Sequence, residues 1–448
     1  VDLTRAMLDR IKAIDGRLDS YLLVTEELAL EQAQVAEAEI SKGRYRGPMH
    51  GIPYALKDNI ETKGIRTTAH SRILIDNLPD RDATVVNRLT EGGAILLGKL
   101  ACLEFTHGTP SSDQAWPQAR NPWNVAHGFT GGSSTGSASA VAAGLAMGAL
   151  GTDTGGSVRN PSAFCGLAGL MPTYGRVSRA GIIPYSFTLD HCGPMCRTVE
   201  DCTLMLQVIA GFDPADPGSA DTPVPDFSAD LGRDIKGLRI GYLRNFHDRA
   251  LAPGDEMRLA LETAATQFES LGAIIGDADI GNLEDFNDVK NIVAEAEFCA
   301  VHEKDYLERI SVYGENLQFK AAPGLLIRAV DYIQAQRKRA KLIHNLCQVM
   351  ENFDVLLTVT VFEPSPEIDP AGKGRRAIQL PNCTQPFNVT GSPSISICNG
   401  FSRGGLPLAM QIIGRHFDEA SVLRVAHAYE SSTPWRDMHP EIKDSASK

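Results

Sequence analysis

Residues 105–199 form a block with no lysine and no glutamate, and residues 128–170 within it contain 11 glycines and 6 serines. Disordered segments of biased composition are usually rich in Lys, Glu and Pro, whereas this block carries Val, Leu, Ala and Met. Small, uncharged side chains let backbone segments approach one another closely. The block therefore predicts buried and tightly packed backbone.

Two apolar runs upstream of this block each end in a polar group. GIPYAL at 51–56 is followed by Lys57, and the run at 94–97 is followed by Gly98 and Lys99. Short apolar runs of this kind are typical of buried strands. Because strands here alternate with helical patterns, the chain is predicted to form an α/β layer fold.

The remaining segments predict elements on both sides of this core. Residues 1–45 predict two helices, and helical periodicity dominates residues 254–350. Three later segments predict strands, at 354–361, 394–398 and 408–413. The last predicted element is a helix at 419–431, capped by Asp418.

Small residues recur every four positions at Gly136, Ala140, Gly144 and Gly148. That spacing follows one face of a helix and predicts a helix against which another element packs closely. The preceding stretch GGSSTGS, at 131–137, would open this helix, where backbone N–H groups are free to polarise a serine.

Bulk properties exclude several classes of function. The net charge of −12 and the lack of a basic run argue against nucleic-acid binding. No apolar run reaches the roughly 18 residues of a membrane span, and the amphipathic start does not resemble a signal peptide. The nine scattered cysteines match no common zinc pattern and predict reduced thiols in a cytoplasmic enzyme.

The stretch GTDTGGSVRN, at 151–160, places Ser157 after two glycines. The turn from Thr154 to Ser157 could direct several N–H groups to one point, as stabilisation of an oxyanion requires. A serine nucleophile also needs a base. The nearest histidines, His127 and His191, lie in stretches of sequence that contain no recognisable catalytic motif.

Lysine is the other choice of base. No lysine occurs between Lys99 and Lys236, and Lys63 lies in a polar turn, so Lys57 and Lys99 remain. Both follow apolar runs, where burial would lower the pKa of the amine. Physical arguments therefore favour the two lysines equally as the general base. A rival motif, GSSTG, would make Ser134 the nucleophile, but no buried strand precedes it.

These stretches resemble the amidase signature family. The resemblance rests on KDNI at 57–60, GGSSTGSASAVAAG, GTDTGGSVRNPSAFCGLAGLMPTYGRVS, TQPFNVTGSPSISI and GLPLAMQIIGR, and on the 24-residue separation of Ser133 and Ser157. It implies that Ser157 is the nucleophile and Lys57 the general base. Ser133 would bridge them from a cis peptide, and the N–H groups of Thr154, Gly155, Gly156 and Ser157 would form the oxyanion hole.

The resemblance also assigns supporting roles and an architecture. Asp153 and Arg159 would hold the nucleophile loop, and Ser134 would support the hydrogen-bond network. The implied fold is a single large domain with a mixed central β-sheet covered by helices on both faces. Its segments would be N-terminal helices at 1–45, a catalytic core at about 50–205, a helical substrate-side segment at about 250–350, and C-terminal strands and a helix at 354–431.

The activity implied is hydrolysis of a small carboxamide through an acyl-enzyme, with no metal or organic cofactor. A homodimer is expected, with a small-molecule amide substrate and neither nucleic-acid nor membrane partners. The alternative is the A subunit of a tRNA-dependent amidotransferase, which takes ammonia from glutamine for partner chains.

Three departures from the family pattern bear on that choice. Thr130 and Thr135 replace a common proline and a small residue, and CLEFTHG at 102–108 replaces the motif MDEFAMG of the amidotransferase A subunits. The last difference argues against the amidotransferase. His107 within this stretch is a candidate for contact with substrate, and structural packing is the alternative role.

Overall fold

In the computed structural model, which describes residues 1–110, 113–126, 128–246, 254–368 and 382–442, the core is an eleven-stranded sheet. The strands in chain order are β1 (Tyr21–Val24), β2 (Pro53–Lys57), β3 (Ile95–Leu100), β4 (Gly148–Asp153), β5 (Ala168–Met171), β6 (His191–Cys196), β7 (Arg239–Tyr242), β8 (Ile274–Asp277), β9 (Val355–Val359), β10 (Ser394–Phe401) and β11 (Pro407–Ile413). Across the sheet their order is β1-β3-β2-β4-β6-β5-β10-β11-β9-β7-β8. The sheet is mixed, since β2 runs parallel to β3 and β4 whereas β4 runs antiparallel to β6.

Helices cover both faces of this sheet. In chain order they are α1 (Asp2–Ile14), α2 (Glu26–Ile40), α3 (Thr84–Glu91), α4 (Thr135–Ala142), α5 (Arg159–Cys165), α6 (Val199–Ile209), α7 (Asp255–Ser270), α8 (Leu283–Arg309), α9 (Glu315–Ala321), α10 (Ala329–Met350), α11 (Gln385–Thr390) and α12 (Glu419–Ser431). Successive residues of a strand point to opposite faces. Accordingly, Tyr54 and Leu56 belong to one apolar core and Ala55 to the other.

This architecture confirms the predicted fold, a single domain in which helices flank a large mixed sheet on both faces. Strands β2 and β3 lie where the two apolar runs predicted them, and Asp418 caps α12 by accepting a hydrogen bond from the Ser421 amide at 3.2 Å. The three central strands β4, β5 and β6 were not predicted, because their glycines obscure the alternation that marks a strand.

The helix predicted from the four-residue spacing of small residues is shorter than that spacing suggests. Helix α4 ends at Ala142, and Gly144 follows with φ of +69°, a left-handed conformation that ends a helix. Gly148 instead opens strand β4. Close packing does hold for the first position of the series, since a Cβ on Gly136 would lie 2.4 Å from the Ser20 carbonyl oxygen and 2.5 Å from the Ala101 nitrogen.

Two long helices, α8 and α10, pack against each other and against the short helix α11, which lies beside the nucleophile loop. They form most of the helical segment predicted at about 250–350, of which residues 250–253 lie outside the described ranges. All nine cysteines are unpaired. Within the described ranges, no helix combines the length and the apolar character needed to cross a bilayer. The cytoplasmic location stays a prediction.

Candidate active site

Lys57 is the last residue of β2, and its side chain is fully buried. Its Nζ lies 2.7 Å from Ser133 Oγ, 2.8 Å from Thr152 Oγ1 and 3.4 Å from the Thr152 carbonyl oxygen. None of the carboxylates in the described residues forms an ion pair with it. The amine is therefore enclosed by hydroxyl and carbonyl groups and lacks a counter-ion there.

The sheet register separates Lys57 from Lys99, which sequence reasoning could not do. Leu56 pairs with Lys99, so Lys57 and Lys99 point to opposite faces of the sheet. Lys99 Nζ donates to the Ile60 carbonyl at 2.5 Å and lies 3.6 Å from Asp58 Oδ1. Lys99 thus holds a buried ion pair, and Lys57 is the one of the two that contacts Ser133.

The surroundings of Lys57 change its basicity. Burial lowers the pKa of Lys57 to about 8, against weaker opposing effects from Cys102, Asp153 and Asp190. An ammonium that loses hydration without gaining a counter-ion is destabilised relative to the neutral amine. About one tenth of the enzyme therefore carries neutral Lys57 at pH 7.

Ser133 and Ser134 lie where the chain enters α4. The peptide bond between Gly132 and Ser133 is cis, and the Ser133 carbonyl accepts a hydrogen bond from the Leu103 amide at 3.0 Å. Ser134 is fully buried, and its hydroxyl donates to the Thr152 carbonyl at 3.4 Å. Ser134 is therefore shielded from solvent, and its supporting role stays a prediction.

Ser157 follows strand β4 in a tight loop and remains partly exposed. Its carbonyl accepts a hydrogen bond from the Ser134 amide at 3.3 Å, which places the two serine-bearing loops side by side. The Ser157 hydroxyl makes no hydrogen bond to any residue in the described ranges. Gly156 has φ of +120°, and a Cβ there would lie 2.1 Å from Thr384 Oγ1, so only glycine fits this position.

The four amides from Thr154 to Ser157 differ in their hydrogen bonds. The amide of Gly156 donates to Asp153 Oδ1 at 2.6 Å, so this N–H is engaged within the protein. The amides of Thr154, Gly155 and Ser157 make no hydrogen bond to other described residues. The Gly156 amide is thus engaged by Asp153, and the oxyanion-hole role of the four amides stays a prediction.

Asp153 and Arg159 form a buried ion pair behind the nucleophile loop. Arg159 Nε and Nη2 each donate to Asp153 at 3.0 Å, and Arg159 also donates to the carbonyl of Thr384 at 2.9 Å and to the Asn388 side chain at 2.6 Å. Burial alone would raise the pKa of Asp153, but Arg159 and Asn388 hold it well below its usual range. The ion pair joins the start of the loop to the helix that follows it, and the loop-holding roles of both residues stay predictions.

His107 lies in a second polar cluster. It is buried, its Nε2 lies 2.7 Å from Glu295 Oε2, and its ring packs on Tyr185 at 4.6 Å. Burial lowers the pKa of His107, against the pull of Glu295. Its predicted contact with substrate stays a prediction. Of the other histidines considered as bases, His191 places its Nδ1 2.7 Å from the Leu189 carbonyl oxygen, and His127 lies outside the described residues.

Sequence reasoning missed two groups of residues around the site. Thr152, in β4, contacts the Lys57 amine through its hydroxyl at 2.8 Å, and this contact joins residues 95 positions apart that only the fold brings together. Lys290 of α8 lies beside Gly155. Within the described ranges, no cluster of three or more His, Cys, Asp or Glu side chains could hold a metal ion.

Comparisons with known proteins identify the family of the chain. The family model "Amidase" matches residues 2–423. The A subunit of the glutamyl-tRNA(Gln) amidotransferase of Moorella thermoacetica is 39% identical over 469 residues, which cover 98% of this chain and 95% of that protein.

Two solved structures share the fold. The A subunit of the glutamyl-tRNA(Gln) amidotransferase from Thermotoga maritima is 31% identical with a TM-score of 0.83, covering 98% of this chain and 94% of that one. The peptide amidase PAM, bound to the competitive inhibitor chymostatin, is 31% identical with a TM-score of 0.87, covering 98% and 95%. Sequence, fold and comparisons thus agree that the chain belongs to the amidase signature family.

Proposed function

We propose that this chain is the A subunit of a tRNA-dependent amidotransferase, which hydrolyses the side-chain amide of glutamine and passes the ammonia to partner chains. The observation that carries the chemistry is the buried amine of Lys57 at 2.7 Å from Ser133 Oγ, with no counter-ion among the described residues. The partner assignment is supported by the 39% identity to the A subunit of a glutamyl-tRNA(Gln) amidotransferase along nearly the whole chain. The difference at residues 102–108 argued for a stand-alone amidase, and the relatives favour the amidotransferase.

The proposed reaction begins with neutral Lys57. It accepts the proton of the Ser133 hydroxyl while Ser133 accepts that of Ser157, so the Ser157 oxygen can form a bond to the amide carbon. The carbonyl π electrons move onto its oxygen, and the amides of Gly155 and Ser157 are suited to stabilise that charge. The proton then returns through Ser133 to the leaving nitrogen, the C–N bond breaks, and ammonia departs.

The second half of the reaction repeats the same transfers with water. Water loses a proton to Ser133 and Lys57, attacks the ester carbon of the acyl-enzyme, and releases the carboxylic acid. The proton then returns to the Ser157 oxygen as its bond to the acyl carbon breaks. In this scheme Asp153 and Arg159 hold the loop and take no proton.

The pH profile should report the state of Lys57. Because the base must be neutral, kcat/KM on a neutral amide should rise about tenfold per pH unit below pH 8 and level off above it. The check is a pH–rate profile for kcat/KM between pH 6 and 10. A profile that falls through pH 8 instead, or one controlled by a group near pH 6.5, would contradict the lysine assignment.

A stand-alone amidase is the second candidate, favoured by the likeness to the peptide amidase and by the divergent stretch at 102–108. Ammonia release by the purified chain separates the two. As an A subunit, the chain should act on glutamine and be strongly stimulated by partner subunits from the same genome. As a stand-alone amidase, it should hydrolyse simple amides by itself and ignore those subunits. The homodimer stays a prediction, and the mass of the purified chain in solution tests it.

A further inference from the structure

Lys290 lies deep in the protein beside the proposed oxyanion loop. It belongs to α8 and is only 6% exposed. Its Cε lies 3.1 Å from the position that a Cβ on Gly155 would occupy. Gly155 itself is partly exposed, so this lysine borders the space next to the reacting centre.

The ammonium of Lys290 is short of partners. Its Nζ donates to the Tyr185 hydroxyl at 3.1 Å and lies 5.0 Å from the centre of that ring. An ammonium has three N–H donors, so two find no acceptor in the described part of the chain. Leaving charged donors unsatisfied in a buried place is costly, and such a group is normally paired.

The nearby carboxylates are already engaged. Glu295 accepts from His107 at 2.7 Å and from the Tyr185 hydroxyl at 2.9 Å. Asp190 accepts from the Thr154 hydroxyl at 2.5 Å and from the amides of Tyr185 and Ser186. Neither forms an ion pair with Lys290, so within the described ranges this cation has no counter-ion of its own.

We propose that Lys290 is a specificity-determining residue that binds a carboxylate on the acyl part of the substrate. The inference rests on the proposed amide hydrolysis at Ser157, because it is the nearness of Gly155 that puts the cation next to the acyl group. The substrate class is then a carboxamide whose acyl chain ends in a carboxylate a few carbons from the scissile carbonyl. The Tyr185 hydroxyl, which donates to Glu295, holds the ammonium in place, and the substrate supplies the missing acceptor.

Binding to a catalytically inactive enzyme tests this without relying on turnover. Titration calorimetry would compare two ligands on the Ser157→Ala variant. Glutaramate ends in a carboxylate, and glutaramide replaces that carboxylate with an isosteric neutral amide. We expect glutaramate to bind more tightly, and Lys290→Met in the same background to weaken it about 10- to 100-fold while changing glutaramide little.

Two matched variants complete the test. Lys290→Arg keeps the charge and should retain most of the preference for glutaramate. Lys338→Met removes a lysine from a half-exposed pair with Asp285 and should leave both affinities unchanged. Thermal melting checks folding, which should persist because methionine replaces a buried charge with an apolar group of similar size.

The outcomes separate this proposal from the proposed function. Equal binding of the two ligands, or equal loss for both on Lys290→Met, would overturn the role of Lys290 while leaving the serine chemistry intact. If instead wild-type enzyme hydrolysed neutral and anionic amides without using Ser157, the proposed function itself would be wrong. Selective loss of glutaramate binding supports the carboxylate site in either case.

Discussion

Replacing Ser157 with alanine should reduce amide hydrolysis by about 10⁵-fold or more, to the background rate, without unfolding the enzyme. The hydroxyl is the proposed nucleophile, and no other described side chain offers a partly exposed oxygen on the same loop that is free of hydrogen bonds. Since Ser157 Oγ makes no hydrogen bond within the described residues, its removal breaks none of the hydrogen bonds that stabilise this part of the fold. Ammonia release measures the loss, and thermal melting shows that the fold persists.

A covalent probe provides the control for this variant. A fluorophosphonate should label the wild-type enzyme once, at Ser157, and should not label Ser157→Ala. Ser134→Ala tests the rival nucleophile, and it should remain labelled because Ser134 is fully buried. Labelling at Ser134, or turnover that survives in Ser157→Ala, would refute the assignment.

Lys57→Met should have the second-largest effect, a loss of about 10³- to 10⁴-fold in kcat, together with a melting temperature at or above that of wild type. The activity falls because the relay loses its base. The stability does not fall because the pKa of Lys57 drops from 10.5 to about 8 on folding, which costs about 3 kcal/mol at pH 7. Methionine removes this cost, although it also loses the hydrogen bonds to Ser133 and Thr152.

Lys99→Met is the matched control, since both lysines are buried near strand ends and lie on neighbouring strands. Lys99 neutralises Asp58 at 3.6 Å, so its loss leaves the buried Asp58 carboxylate without a counter-ion. This should lower the free energy of unfolding by about 3 to 5 kcal/mol. The folded fraction should keep kcat within about tenfold of wild type. Kinetics and melting curves on both variants should therefore give opposite results. If Lys99→Met abolished kcat and Lys57→Met did not, the base would be Lys99.

The proposed catalytic residues were predictable from short motifs, because glycine-rich loops and serines at fixed spacing leave a strong local signature. The choice between Lys57 and Lys99 was not. Both follow apolar runs, and only the pairing of Leu56 with Lys99 shows that they face opposite sides of the sheet. The residues alone favour the two lysines equally as the general base, and only the family resemblance selects Lys57.

Other features escaped prediction because they depend on distant parts of the chain. Asp153 accepts a hydrogen bond from the Gly156 amide, a detail of loop geometry that composition does not encode. Lys290 lies more than 130 positions after Gly155, inside a helix with ordinary amphipathic character. The predicted length of α4 was too great for a local reason. The four-residue spacing of small residues continues past Gly144, although the helix ends at Ala142.

The contacts of Arg159 have a consequence for how the enzyme is made. This residue, two positions from the proposed nucleophile, is held by Thr384, Asn388 and Gln411, which follow it by 225, 229 and 252 positions. A ribosome synthesises the N-terminal part first, so a nascent chain carries Ser157 long before these partners emerge. The buried contacts of Arg159 can therefore form only after residues 384, 388 and 411 have been synthesised.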